Sequence, residues 1–253
     1  MIKVCVFSKD SFLFKEIEDN LKSDVLLDNI NEETEISKKL DSEILIILNE
    51  IASAKEILQN FRGLIFDLTG IAKNLGLKSL ELIEPSVYLL YKYFGEQIDC
   101  IKGNIYYPVC IYGKAGIDDL INQTKDIFAF TNTECKILDK RLPFNALLGM
   151  GYNRSGIGEY ISRFNSDVPN NFDLRLLPLS TFMIIDIYKP LNVEIYGEYL
   201  ESEISVIDAL NNGGENKSHN LFLMDEERAT IVADYLKVIV EQIDEKINEY
   251  RGA

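Results

Sequence analysis

Along the first part of the chain, short apolar runs alternate with stretches whose apolar residues recur at helical spacing. Ile2 to Phe7 predicts a strand, and Phe14, Ile17 and Leu21 then mark one face of a helix over Phe12 to Leu21. Val25 to Leu27 predicts a second strand, and the acidic stretch Asn31 to Glu35 a solvated loop or helix start. Glu43 to Leu48 gives the strongest strand signal, an unbroken apolar run suited to the middle of a parallel sheet. Ile51, Ala54, Ile57, Leu58 and Phe61 then share a helical face, and Leu64 to Leu68 is the next strand. This alternation predicts an open α/β sheet with right-handed crossovers.

The pattern changes after Pro85, where a helix is expected as far as Phe94. Ile105 to Tyr112 reads as a strand, Gly113 to Gly116 as a turn, and Ile117, Leu120 and Ile121 as one face of a short helix ending near Thr124. Arg141 to Leu148 is expected to pack in a second domain. The glycine-rich Gly149 to Gly158 reads as a connector, because it lacks the Gly and Lys spacing of a phosphate loop. The apolar stretch Asp173 to Tyr188 and the alternating Val193, Ile195 and Tyr199 predict two successive antiparallel strands. A long amphipathic helix is expected over Asp225 to Arg251, with Ile231, Tyr235, Leu236, Ile239, Ile243, Ile247 and Tyr250 at spacings of three and four. Core packing explains that stripe, and a subunit contact is the sharper alternative.

Composition then narrows the function. A formal net charge of -15 argues against nucleic acid or an anionic membrane as partner, since either would need clustered cations. Met1 to Phe7 is too short an apolar run for a secretory signal, and no stretch has the roughly 20 apolar residues of a spanning helix. Cys5, Cys100, Cys110 and Cys135 show no Cys-x-x-Cys spacing, so reduced packing residues in a cytoplasmic protein are expected, and no metal site.

The order strand, Gly113-Lys114-Ala115-Gly116, helix ending at Gln123-Thr124, and later Leu142-Pro143-Phe144-Asn145-Ala146-Leu147 resembles the aspartate-semialdehyde dehydrogenase family. Leu64 to Lys73 resembles the same family, which has a strand ending in an Asp-x-Ser-like turn. The resemblance implies a Rossmann-like N-terminal domain, a second domain built on a mixed or antiparallel dimerisation sheet, and a C-terminal helix returning to the first. On this reading residues 1–98 with 225–253 form the NAD(P)-binding-type domain, and residues 99–224 the dimerisation domain.

The residues that carry chemistry in that family are absent here. The connection after the first strand reads Ser8-Lys9-Asp10-Ser11, without the glycines that admit a pyrophosphate. Ser8, Asp10 or Ser11 is expected to cap the following helix, the alternative being a phosphate contact through Ser11 and Lys9. Where the family has its nucleophilic cysteine, this chain reads Glu84-Pro85-Ser86-Val87. Ser86 is expected to cap the helix, and it would need an adjacent base to serve as a nucleophile. Arg175 matches the family's carboxylate-binding arginine, but Phe182 stands seven residues on, where the resemblance puts the acid-base histidine; the one histidine, His219, falls in a polar loop. Arg175 and Lys114 are the candidate ligand remnants.

The expectation is therefore a non-catalytic homologue using no NADP, a homodimeric scaffold or protein-binding module with a further protein partner. Two alternatives stay open. One is an NADP-dependent oxidoreductase with an altered active site, and the other a carboxylate sensor using Arg175 and Lys114.

Overall fold

The computed structural model describes residues 1–8, 11–36, 38, 41–48, 51, 54–138, 141–144, 147–148, 168–201 and 218–252. The chain divides into two compact units, one built from Met1–Ile83 and Ile239–Ala253, the other from Glu84–Ile161 and Asp167–Val238.

The first unit holds a parallel sheet. Its strands are β1 (Ile2–Phe7), β2 (Val25–Ile30), β3 (Ile44–Ile47), β4 (Leu64–Asp67) and β5 (Ser79–Glu81), in the order β2-β1-β3-β4-β5. Between them run α1 (Ser11–Asn20), α2 (Glu33–Ile36), α3 (Ala54–Leu58) and α4 (Ile71–Asn74). Cys5, Phe7, Leu45, Ile47 and Ile65 pack with Ile30 and Leu58 into one apolar cluster, as β-branched and aromatic runs buried on both sheet faces should. At the end of β4, Asp67 caps α4: one carboxylate oxygen accepts from Thr69 N (2.7 Å) and the other from Ala72 N (2.6 Å). The C-terminal part of the last helix belongs to this unit. Gln242 holds Ile83 by two hydrogen bonds of 2.9 Å, and Asp244 accepts from Ser23 N at 2.8 Å. This is the Rossmann-like half that the alternation predicts.

The second unit begins with α5 (Pro85–Phe94), which groups here rather than with the parallel sheet, and a 3-10 turn at Gly95–Cys100. Then come β6 (Lys102–Tyr107), a 3-10 turn (Val109–Tyr112), α6 (Gly113–Phe128), β7 (Leu147–Leu148), β8 (Phe172–Leu176), β9 (Phe182–Tyr188), β10 (Leu200–Glu201), β11 (His219–Leu223), β12 (Arg228–Asp234) and α7 (Tyr235–Gly252). The strands form a mixed sheet in the order β10-β11-β12-β9-β6-β8-β7. β8 runs parallel to β6, and β9 lies antiparallel between β6 and β12. One face is core: Ile105, Tyr107, Met183, Ile185 and Ile231 are all fully buried. The other face is mixed, carrying Tyr106, Arg175, Asp186 and Thr230 beside buried Ile184 and Val232.

Four local readings are corrected by these elements. The glycine segment 113–116 is the first turn of α6, and β6 stops at Tyr107 because Pro108 has no N–H for the ladder. Gly116 is needed for close packing, since a Cβ there would lie 2.5 Å from the Val109 carbonyl oxygen and 2.8 Å from Tyr112 Cβ. The strands within Asp173 to Tyr188 are two, and both pair with β6 instead of with each other; Val193 to Tyr199 is not a strand. The last helix starts at Tyr235, ten residues later than its stripe suggests, because β-branched Thr230, Ile231 and Val232 complete β12 first. Cys5 and Cys110 are buried, but Cys100 and Cys135 are exposed and are not packing residues.

A buried carboxylate at the head of α5

The candidate site is built where α5 begins. Pro85 occupies its first position, where the missing N–H costs nothing, and Glu84 is the N-cap. Glu84 Oε2 accepts from Ser86 N (2.9 Å), Val87 N (3.1 Å) and the Ser86 hydroxyl. Its other oxygen accepts from Tyr235 OH at the start of α7, at 3.2 Å. Ser86 Oγ lies 3.0 Å from Tyr107 OH. The Ser86 proton goes to the carboxylate, so Tyr107 donates to Ser86. The result is a directed chain, Tyr107 to Ser86 to Glu84, with Tyr235 entering from the other side.

Every member of the chain is fully buried. Burial raises the Glu84 pKa to about 7, against the opposing hydrogen bonds from Ser86, Val87 and Tyr235. A hydroxyl donating to a carboxylate that titrates near neutrality has the form of a nucleophile with its base. What it lacks is access. Ser86 and Val87 are 0% and 1% exposed, and the Ser86 oxygen already serves Glu84 and Tyr107. The expected cap at Ser86 is therefore corrected. Glu84 caps the helix, because its longer side chain folds back over the N–H groups, and Ser86 is one of its donors.

The remaining predicted residues lie elsewhere. Side chains alternate across a strand, so Tyr107 points into the core and Tyr106 away from it. Arg175 is the register partner of Tyr106, with its guanidinium 5.5 Å from that ring, which puts it on the sheet face opposite Ser86. Burial raises the Tyr106 pKa, and Asp186 nearby adds to the shift. Lys114 is in the first turn of α6, 3.6 Å from Asp118. Phe182 opens β9, paired with Asp234, whose carboxylate accepts from Leu236 N (3.1 Å) and Thr181 Oγ (3.2 Å). That acid, its pKa raised by burial, is occupied in capping α7. His219 opens β11 instead of lying in a loop, with Nδ1 2.7 Å from Ser218 Oγ and Tyr93 edge-on at 5.6 Å.

Ser8 is fully buried, and its N–H donates to Ile30 O at 3.0 Å. Lys9, Asp10, the Ser11 side chain and Gly149 to Gly158 lie outside the described residues. Among the described residues no group of His, Cys, Asp and Glu has the arrangement of a metal site, and no helix is long and apolar enough to cross a membrane. Sequence reasoning missed Glu84 as a site residue and gave Tyr235 only a place on the apolar stripe, not its bond to Glu84. The signal for Glu84 was an acid directly before Pro85; Tyr235 had none, since 151 residues separate it from Glu84.

No protein-family profile matches the sequence, and no curated protein does. The fold does have relatives. Aspartate-semialdehyde dehydrogenase from Francisella tularensis superposes with a TM-score of 0.63 at 13% identity, over 99% of this chain and 100% of that one. Aspartate-semialdehyde dehydrogenase II from Vibrio cholerae gives 0.62 at 12%, over 98% and 99%. A probable aspartate-semialdehyde dehydrogenase from Pseudomonas aeruginosa gives 0.61 at 14%, again over 98% and 99%. The chain therefore has an aspartate-semialdehyde dehydrogenase-like fold.

Proposed function

We propose that this chain is a non-catalytic homologue of the aspartate-semialdehyde dehydrogenases, kept in the cytoplasm as a homodimeric scaffold or protein-binding module. One observation carries the reading. The residues at the family's nucleophile position, Ser86 and Val87, are sealed in the core, and the serine is consumed by a closed hydrogen-bond chain. Phe182 at the acid-base position cannot transfer a proton, and Arg175 lies across the sheet from Ser86. The mixed sheet face, with Tyr106, Tyr188 and Arg175 around Ile184, is the surface on which a second copy would pair.

The test is a titration with NADPH and an aspartate-semialdehyde turnover assay, with light scattering on the same sample. The expected result is a dimer with no saturable binding and no turnover. Turnover that Ser86→Ala abolishes would overturn the proposal. It would establish a second reading, which the Glu84 and Ser86 pair favours: an altered active site where the hydroxyl replaces a thiol and Glu84 is its base.

A further inference from the structure

The outer face of α6 carries a feature that neither the sheet nor the Glu84 chain explains. Phe128, Phe130 and Phe144 are 69%, 96% and 71% exposed, and the Phe128 and Phe144 rings meet edge to face at 5.8 Å. Phe130 and Phe144 also have left-handed backbones, with φ of 56° and 61°. For a bulky side chain that is an outlier, and Phe130 takes the place that glycine usually fills in a helix-ending motif. The motif is complete: Phe130 N donates to Ile127 O (3.2 Å) and Thr131 N to Asp126 O (3.0 Å). The ring is held in water by a fixed backbone, which costs stability and preorganises an apolar anchor.

The helix face behind these rings is self-complementary. Lys114, Asp118, Ile121, Lys125 and Phe128 are all exposed and recur every three or four residues, so they form one stripe along α6. Place a second α6 antiparallel about a two-fold axis between Ile121 and Asn122. Asp118 then faces Lys125 of the other copy, the two Ile121 side chains meet beside the axis, and Phe128 packs over the stem of Lys114. The Asp118 and Phe128 contacts each occur twice and Ile121 meets its own copy, as a two-fold interface requires. The stripe carries two cations and one anion on a chain of net charge -15, so here two copies meet without the repulsion they would meet elsewhere. The three phenylalanines alone offer about 470 Å², taking roughly 200 Å² for each side chain. With the rest of a stripe about 24 Å long, the area approaches the ~800 Å² per partner of a stable interface.

We propose that the outer face of α6, ending in the Phe128, Phe130 and Phe144 cluster, is an interface for a second copy of this chain, paired antiparallel with Asp118 against Lys125. This surface is separate from the sheet face, so a chain using both assembles beyond a dimer. The test is disulfide trapping of Ile121→Cys in a Cys100→Ser, Cys135→Ser background, with light scattering on the same proteins. The expected result is a rapid covalent dimer, formed about tenfold more slowly with Lys125→Glu or Phe130→Gly and restored by the charge swap Asp118→Lys with Lys125→Glu. Phe130→Gly suits the left-handed backbone, so its melting temperature should not fall and a folding defect cannot explain lost trapping. No covalent dimer, a rate unchanged by Lys125→Glu and Phe130→Gly, or a charge swap that fails to restore it would overturn the proposal, whatever pairs on the sheet.

Discussion

Among the described residues of the second unit two carboxylates are buried, and their pKa values shift in opposite directions. Glu84 and Asp119 are 0% and 3% exposed, and each accepts several hydrogen bonds. Asp119 Oδ2 takes Ile137 N and Leu138 N at 2.9 Å, Lys136 N at 3.2 Å and Gln123 Nε2 at 3.3 Å. Burial raises its pKa, but the N–H groups of Leu138, Ile137 and Lys136 outweigh it, and Asp119 ends below its ordinary value. For Glu84 burial wins. The difference is depth. Asp119 lies beneath a single layer of chain whose Glu134, Cys135 and Lys136 are exposed, whereas Glu84 sits against the fully buried Tyr107 and Tyr235. Counting donors does not give the charge state of a buried acid; donors must be weighed against the water removed.

The sharpest way to break this comparison is Glu84→Ala. It leaves two backbone N–H groups and two hydroxyl groups without their acceptor in the core, so a loss on the order of 4 kcal/mol is expected in denaturant unfolding at neutral pH. A pH series is the next largest effect. The folded Glu84 pKa of about 7 exceeds its ordinary 4.5, so the folded state binds the extra proton and stability falls as pH rises through that window, by about 3 kcal/mol if no other group compensates. Glu84→Gln should flatten that slope; an unchanged slope would show that Glu84 does not titrate there. Asp119 has the opposite sign. Its folded pKa is depressed, so its contribution is present above the ordinary value of 3.8 and is lost as pH falls through the folded pKa. Asp119→Asn should remove this acid-side loss and expose the chain after Lys136 to faster hydrogen exchange.

Ser86→Ala should have the smallest effect, about 2 kcal/mol, because Glu84 loses one donor and the buried Tyr107 hydroxyl loses the Ser86 acceptor. It should also push the Glu84 transition to higher pH, since that donor lowers the pKa.

Legibility in the sequence followed the range of the interactions. β1, α1, β3 and β4 stand where their apolar runs placed them, because parallel strands buried on both faces announce themselves locally. The start of α7 was misread because its stripe continues unbroken through β12, and a period alone cannot say where a strand yields to a helix. The capping role of Asp234 marks that point, and it is visible only with Leu236 N and Lys237 N in place. The family resemblance points to Arg175 but not to its side of the sheet, since a strand's facing is set by register with β6.

The sequence by itself determined the two-part α/β character of the chain and the places of β1, α1, β3 and β4. These follow from residue identity and local periodicity. Tertiary structure alone decided that Glu84 is the cap of α5, that its carboxylate meets Tyr107 and Tyr235 through Ser86 and directly, and that Arg175 faces the other way. Those facts depend on contacts between residues far apart in the chain and on how much water each contact excludes, and neither is encoded at any single position.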